Sequence, residues 1–317
     1  MESSKLFPIG YVSKRTGLSP HVIRAWERRY GVVQPQRSSG NRRLYSREDV
    51  DHLSQLQEAV QSGHTISSIA HLPGAELASL LQSDRTPGVE AIQSWKGEST
   101  DAVVGIHIDG LLQATQALDL ASFEKQLHQA SVEVSRLVFL ADVVTPLFER
   151  IGDQWAGGTV KIVQEHMAST ATQAFLWDML RSADPGEAAP GMVVATPTGQ
   201  WCQLGALMVA LVGADVGWNV HYFGPNLPPE EIAAAVGQKE AKAVALSLVH
   251  PVDGLGLIRE LKRLMRSLAP GVQLIVGGKV TETHRNHIEA LGLPCVGNLR
   301  SFVSYAAAML HGDSSSP

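Results

Sequence analysis

The 317-residue chain predicts a fold of class α and α/β in three parts: a winged helix-turn-helix, a four-helix bundle and a doubly wound parallel sheet. Three observations predict it. The first 47 residues carry ten basic side chains against two acidic ones, in a chain whose net charge is -5. Helical periodicity then dominates from Ile106 to Arg181, and beyond residue 190 short apolar runs alternate with helical patterns, the signature of a sheet covered by helices. A prior of about 150 residues per domain suits two or three parts. The boundaries read as 1–75, a linker over 76–100, 101–185 and 190–311.

No apolar run approaches the roughly 18 residues that span a bilayer, and the N-terminus lacks the apolar core of a signal peptide. A cytoplasmic chain with no membrane partner is expected. Cys202 and Cys295 make neither a disulfide framework nor a multi-cysteine metal site.

In the first part a short helix from Ile9 stops at Gly17, and a second over His21 to Tyr30 begins with Ser19 as N-cap and Pro20 at its first position. Val22, Trp26 and Tyr30 share one face, which docks the helix. Arg24 and Arg28 share another, suited to a major groove. The segment from Gln34 to Tyr45 has turn residues flanked by arginines and reads as a β-wing on backbone phosphates. A further helix opens at Ser46 with Arg-Glu-Asp, acids placed for the helix dipole, and carries Val50, Leu53, Leu56 and Val60 inward.

This stretch resembles the N-terminal domain of the MerR family of transcriptional regulators, through Arg-Ala-Trp-Glu-Arg-Arg-Tyr-Gly at 24–31 and Arg-Arg-Leu-Tyr-Ser at 42–46. The resemblance implies a double-stranded DNA operator contacted by Lys14, Arg15, His21, Arg24, Arg28, Arg42, Arg43 and Tyr45, with Trp26 supporting the reading head. It also implies a homo-oligomer. No sustained heptad run follows the wing, so the dimer coil of metal-sensing relatives is not expected, and the C-terminal parts are expected to control assembly.

A linker containing Gly, Ser and Pro over 82–100 leads into helical segments at Ile106 to Leu120, Phe123 to Gln129, Val134 to Trp155 and Val160 to Arg181. Nine residues separate Trp155 from Glu165-His166, which places them at the end of one helix and in the next. The segment resembles the helical cap of the light-sensing, adenosylcobalamin-dependent MerR regulators. By that resemblance Trp155 packs on the adenosyl group, Glu165 bonds it and His166 is a cobalt ligand after photolysis. Read from the residues alone, Trp155 is a core residue and His166 a satisfied polar one.

Four strands are expected beyond residue 190, at Met192 to Thr196, Val220 to Phe223, Ala243 to Leu248 and Gln273 to Gly278, with helices between them. Such a Rossmann-like sheet binds ligands at its carboxyl edge. The spacing is specific: forty-one residues lie between Gly205 and Ser247, and twenty-seven between Val249 and Gly277-Gly278. Those elements resemble the loop, the Ser-x-Leu element and the Gly-Gly element of the B12-binding fold. In that family they line the channel for the nucleotide tail of cobalamin.

The loop departs from the family where its chemistry lies. Gln200 stands for the acid, Cys202 for the cobalt-ligating histidine, and only Gly205 is kept. Three readings stay open: cobalamin held without a protein lower ligand; a cofactor-free pocket on a regulator answering to a protein antirepressor; or a new metal group such as haem held by Cys202 with His166 opposite. Each leaves the chain a regulator, most simply a repressor working as dimer or tetramer. The competing class, a corrinoid enzyme, lacks support because the sequence has no catalytic barrel and no metal constellation.

Overall fold

The computed structural model describes residues 6–38, 41–62, 64–84, 98–183, 189–249 and 254–311, so that most of the expected linker lies outside the described residues. The chain divides into two compact units, 1–160 and 161–317.

The first unit opens with β1 (Phe7–Pro8), α1 (Ile9–Thr16) and α2 (Pro20–Tyr30). Gly17 ends α1 with φ 74°, a left-handed turn that its missing side chain permits. Ser19 accepts a hydrogen bond from the Val22 amide to start α2, a cap worth about 1 kcal/mol. β2 (Gln36–Arg37) and β3 (Arg43–Tyr45) form the wing, and β1 completes a three-stranded antiparallel sheet in the order β1-β3-β2. α3 (Arg47–Gln61) begins with a reciprocal capping box between Ser46 and Asp49. α4 (Ile66–Ile69) and α5 (Gly74–Asp84) close one core around Trp26, Tyr45, Leu53, Leu56, Ile66 and Leu77.

α6 (Glu98–Gln116) and α7 (Leu120–Glu133) follow as a packed pair. The single helix expected over Val134 to Trp155 is interrupted. Val134 is extended, Ser135 caps the short α8 (Arg136–Val138), Phe139–Val144 form a π-helix, and α9 (Thr145–Ala156) resumes the α form. Pro146 explains the widened turn. It has no N–H to continue the ladder, and its ring crowds the preceding carbonyl.

The second unit begins with α10 (Ile162–Arg181), expected as the fourth bundle helix, which packs along α11 (Leu204–Val216). A parallel sheet of order β5-β4-β6-β7-β8 is built from β4 (Gly191–Ala195), β5 (Asn219–Tyr222), β6 (Ala243–Ser247), β7 (Gln273–Gly277) and β8 (Cys295–Val296). β8 and the terminal helix α15 (Leu299–His311) extend the sequence expectation. α12 (Pro229–Gln238), α13 (Gly254–Ser267) and α14 (Val280–Glu289) lie between strands.

Period-two alternation sorts the sheet's faces. Val193, Ala195, Val244, Leu246, Leu248, Leu274 and Val276 share one core with α12, α13 and α14. On the opposite face Gly213 of α11 sits against Met192, Val220 and Phe302, so α11 and α15 cover that side. The strand order reverses between β4 and β6, the place where open α/β sheets part to form a crevice.

Gly278 is the tightest backbone position in this unit. Its φ is 103°, and a Cβ there would stand 2.3 Å from the Leu248 carbonyl oxygen. Gly278→Ala is expected to cost about 2 kcal/mol or more, read as a lower urea midpoint at unchanged slope.

Candidate functional site

Basic residues of the reading head divide by exposure. Lys14, Arg15, His21, Arg24, Arg28 and Arg42 are exposed, and Arg24 and Arg28 share one face of α2 with His21. Arg43 is engaged. Its Nε lies 2.8 and 3.1 Å from the two Glu27 carboxylate oxygens, a bond that fixes the wing to the recognition helix. Tyr45, expected on the DNA side, is instead wholly buried in the core, and burial pushes its phenol up to about 12. β3 alternates, and the tyrosine falls on its inward side. Arg43 and Tyr45 thus shape the head from behind.

The apolar face of α2 meets a partner that sequence reasoning missed. Trp26 is 2% exposed, and its indole N–H donates to the Val132 carbonyl of α7 at 2.7 Å. Next to it, Glu133 gathers three partners. Its Oε1 lies 2.6 Å from Arg29 Nη2 and accepts from the Tyr30 hydroxyl at 3.2 Å, while its Oε2 lies 2.7 Å from His107 Nε2. A carboxylate only accepts, so His107 carries its proton on Nε2. At the other end of α2, the His21 ring lies 5.2 Å from that of His128. α7 therefore lies along α2 from His21 to Tyr30 and leaves Arg24 and Arg28 open. Burial works against the charge on Glu133, but the bond and charge of His107, with Arg29 and Tyr30, outweigh it and hold the carboxyl below its usual range.

In the second unit, the loop after β4 is locked by hydrogen bonds. The Gln200 carboxamide, 1% exposed, accepts from the Val249 amide at 2.8 Å, and its backbone carbonyl accepts from Thr196 Oγ1 and from the Asn226 amide. Asn226 Oδ1 in turn accepts from the Gly199 amide at 2.7 Å. Gln200 thus ties the loop to the segment that ends β6. A Cβ on Gly205 would stand 2.7 Å from Ser247 Oγ and 3.8 Å from Val249, so the start of α11 rests on the Ser-x-Val element. Gly277 faces the same side, where a Cβ would meet the Val296 carbonyl at 2.9 Å.

Cys202 is half-buried, and burial pushes its thiol up, with Glu165 adding to the effect and the Leu204 and Gly205 amides opposing it. In the metal-free protein this favours the thiol over the thiolate. Glu165 lies in the first turn of α10, and its Oε2 is 3.5 Å from Nε2 of His166, which is exposed. Trp177 meets Tyr222 edge-on at 5.4 Å, the Tyr222 hydroxyl donates to Gln203, and Gln203 donates to Gln173, so α10 is stitched to the loop. Trp201, Phe223, Ile162 and Val163 are exposed apolar side chains of this unit. Trp155, next to last in α9 of the first unit, is 54% exposed rather than a core residue. Among the described residues no group of three or more His, Cys, Asp or Glu side chains is arranged for a metal ion.

With this geometry in hand the relatives are informative. Residues 7–73 match the MerR HTH family regulatory protein, and residues 107–176 and 190–297 match two B12 binding domain descriptions. The chain is 30% identical to the HTH-type transcriptional repressor CarH of Myxococcus xanthus, over 92% of this chain and 95% of that protein.

The chain belongs to the CarH family of MerR-type repressors.

A second member of M. xanthus, the repressor CarA, is 26% identical over 89% of each chain. The monomethylamine corrinoid protein of Methanosarcina barkeri, at 17% identity, superposes with a TM-score of 0.50 over 63% of this chain and 96% of its own, which shows a shared fold. Set in the CarH family, the chain is a regulator with a MerR head and B12-type domains, and among the described residues no helix is long and apolar enough to cross a membrane.

Because the folded Glu133 carboxyl lies below its unfolded range, its stabilising contribution is complete above about pH 4.3 and is lost as pH falls through the folded value. Glu133→Ala, which leaves His107 buried without its acceptor, is expected to destabilise the first unit by about 3 kcal/mol at pH 7. The gap should narrow as pH falls below about 4.3 in urea titrations of the two proteins.

Proposed function

We propose that this protein is a transcriptional repressor that binds a corrinoid through its B12-type domains and uses it to set oligomeric state, and thereby operator affinity. Doubling the reading heads in one assembly multiplies effective concentration at a two-part operator. The observation that carries the proposal is the α2–α7 contact. The recognition helix is bound, through Trp26 and Glu133, to a helix of the bundle that in this family belongs to the sensor. Any rearrangement of that bundle is felt at Arg24 and Arg28.

The residues fit a corrinoid held by its tail and upper face. Gly205, Ser247, Val249, Gly277 and Gly278 bring bare backbone and small side chains to the crevice where a nucleotide tail would lie, and half-buried Glu165 and exposed His166 stand side by side in the first turn of α10. They do not offer an imidazole as lower ligand, since Gln200 is engaged by the Val249 amide and Cys202 stands where the family loop has its histidine. Adenosylcobalamin, when bound, supplies a light-cleavable cobalt–carbon bond. Glu165 would hydrogen-bond its adenosyl group, and His166 would offer a nitrogen to cobalt after photolysis.

A second reading has an observation behind it. The Gln200–Val249 tie and the close seat of Gly205 beside Ser247 hold the loop without any cofactor, as suits a cofactor-free repressor controlled by a protein antirepressor. The two readings part in one experiment. Protein incubated in the dark with adenosylcobalamin and desalted is expected to keep corrin bands that change under green light, with a shift in oligomer size. A colourless protein, unchanged in size and operator affinity, supports the antirepressor reading.

Two substitutions sharpen the proposal. In the Gln200→Asp/Cys202→His double variant, titration with hydroxocobalamin is expected to give the spectral shift of an imidazole ligand that the native protein lacks. Glu133→Gln keeps an acceptor for His107 and Tyr30 but weakens the Arg29 pair, and is expected to tighten operator binding several-fold in gel-shift assays at fixed salt.

A further inference from the structure

The circumference of α13 is divided by charge. Leu257, Leu261 and Leu264 face the core and are buried. Glu260 and Arg263 lie on the flank toward α12, where the Arg263 guanidinium is held by Glu260 Oε1 at 3.0 Å and by Glu230 Oε1 at 2.6 Å. At about 100° per residue, the face opposite the leucines carries Leu255, Arg259, Lys262 and Arg266, all exposed. No acidic side chain shares that face. Arg259, Lys262 and Arg266 make no ion pair or hydrogen bond with the described residues.

Residues 161–317 carry eleven basic and thirteen acidic side chains, yet four of the basic ones fall between 259 and 266. Helix stability does not explain the cluster. Like charges three and four residues apart repel, and Glu260, the one acid of α13, is already engaged by Arg263. Only Arg266 lies in the last turn, where a cation suits the helix dipole. Three unneutralised cations along about 10 Å of helix make a surface for a polyanion. A protein partner would call for an apolar centre to the contact, and this face offers only Leu255, at its end. Duplex DNA calls for none, and it presents about one phosphate charge per 1.7 Å of its axis.

From this face we infer that α13 is a second DNA contact, which grips phosphates of the duplex without reading bases and adds to the hold of the MerR head. Arg259, Lys262 and Arg266 each neutralise a phosphate and release its counterion, so the contact favours every sequence alike and fades as salt rises. Base reading stays with α2. The contact does not depend on whether a corrinoid is bound.

The test is fluorescence anisotropy of the full-length protein, without corrinoid, on a mixed-sequence duplex of about 60 base pairs over about 50 to 200 mM salt. The triple variant Arg259→Gln/Lys262→Gln/Arg266→Gln is expected to bind about tenfold more weakly at the low-salt end. It should also lose about 2 to 3 from the slope of log K against log salt. A control variant, Arg181→Gln/Lys279→Gln/Arg300→Gln, removes three exposed cations of the same unit outside α13. It should keep the slope and stay within about twofold of native affinity. All substituted positions are exposed, and neither variant is expected to melt below the native chain. An unaltered slope in the α13 variant overturns the proposal, and so does an equal loss in the control. If the α13 variant keeps its DNA affinity but forms a smaller assembly by light scattering, the face joins copies of the chain and the proposal is likewise overturned.

Discussion

Glu133 is the carboxylate on which the first unit turns. It ends α7, and from there it holds Arg29 and Tyr30 of the recognition helix with one oxygen and His107 of α6 with the other. Charged side chains are buried only where partners satisfy them, and this one is satisfied on every side. Trp26 adds the apolar half of the joint, its ring in the core of the head and its N–H on the backbone of α7. The head and α7 are thereby joined directly within the first unit. The face of α2 left open is the one with Arg24 and Arg28, so the same helix divides its circumference between protein and nucleic acid.

In the second unit the comparable constraint is the loop between β4 and α11. Its own hydrogen bonds hold it. Gln200, Thr196 and Asn226 close a set of hydrogen bonds that ties the loop to the ends of β6 and to the segment after β5. A neutral carboxamide both donates and accepts, which suits the buried structural role of Gln200, and burial favours the neutral thiol of Cys202.

Much of this was legible in the sequence wherever a local signal existed. Ser19, Pro20 and Gly31 bracket α2, the capping box of Ser46 starts α3, and the apolar runs of β4, β6 and β7 lie where alternation with helices places them. β8 has two residues, too few for a period, and α15 followed it out of view. The break at Val134 and the π-helix were hidden because an apolar helical pattern reads the same through a widened turn. Site residues divide in the same way. Spacing brought Gly205, Ser247 and Val249 to one place, but nothing local shows that Glu133 meets partners 26 and 103 residues away. Tyr45 is the reverse case, a polar aromatic beside arginines that the pleat turns inward.

The π-helix at Phe139–Val144 sets a phase as well as relieving Pro146. In an α-helix each residue turns the axis by about 100°, and a π-turn amounts to one residue more than the α ladder needs. Everything beyond it, Trp155 included, is rotated by that increment about the axis of α9 relative to an uninterrupted helix. The compass bearing of an exposed tryptophan is therefore fixed eleven residues upstream, by the register of a helix rather than by any contact the ring makes.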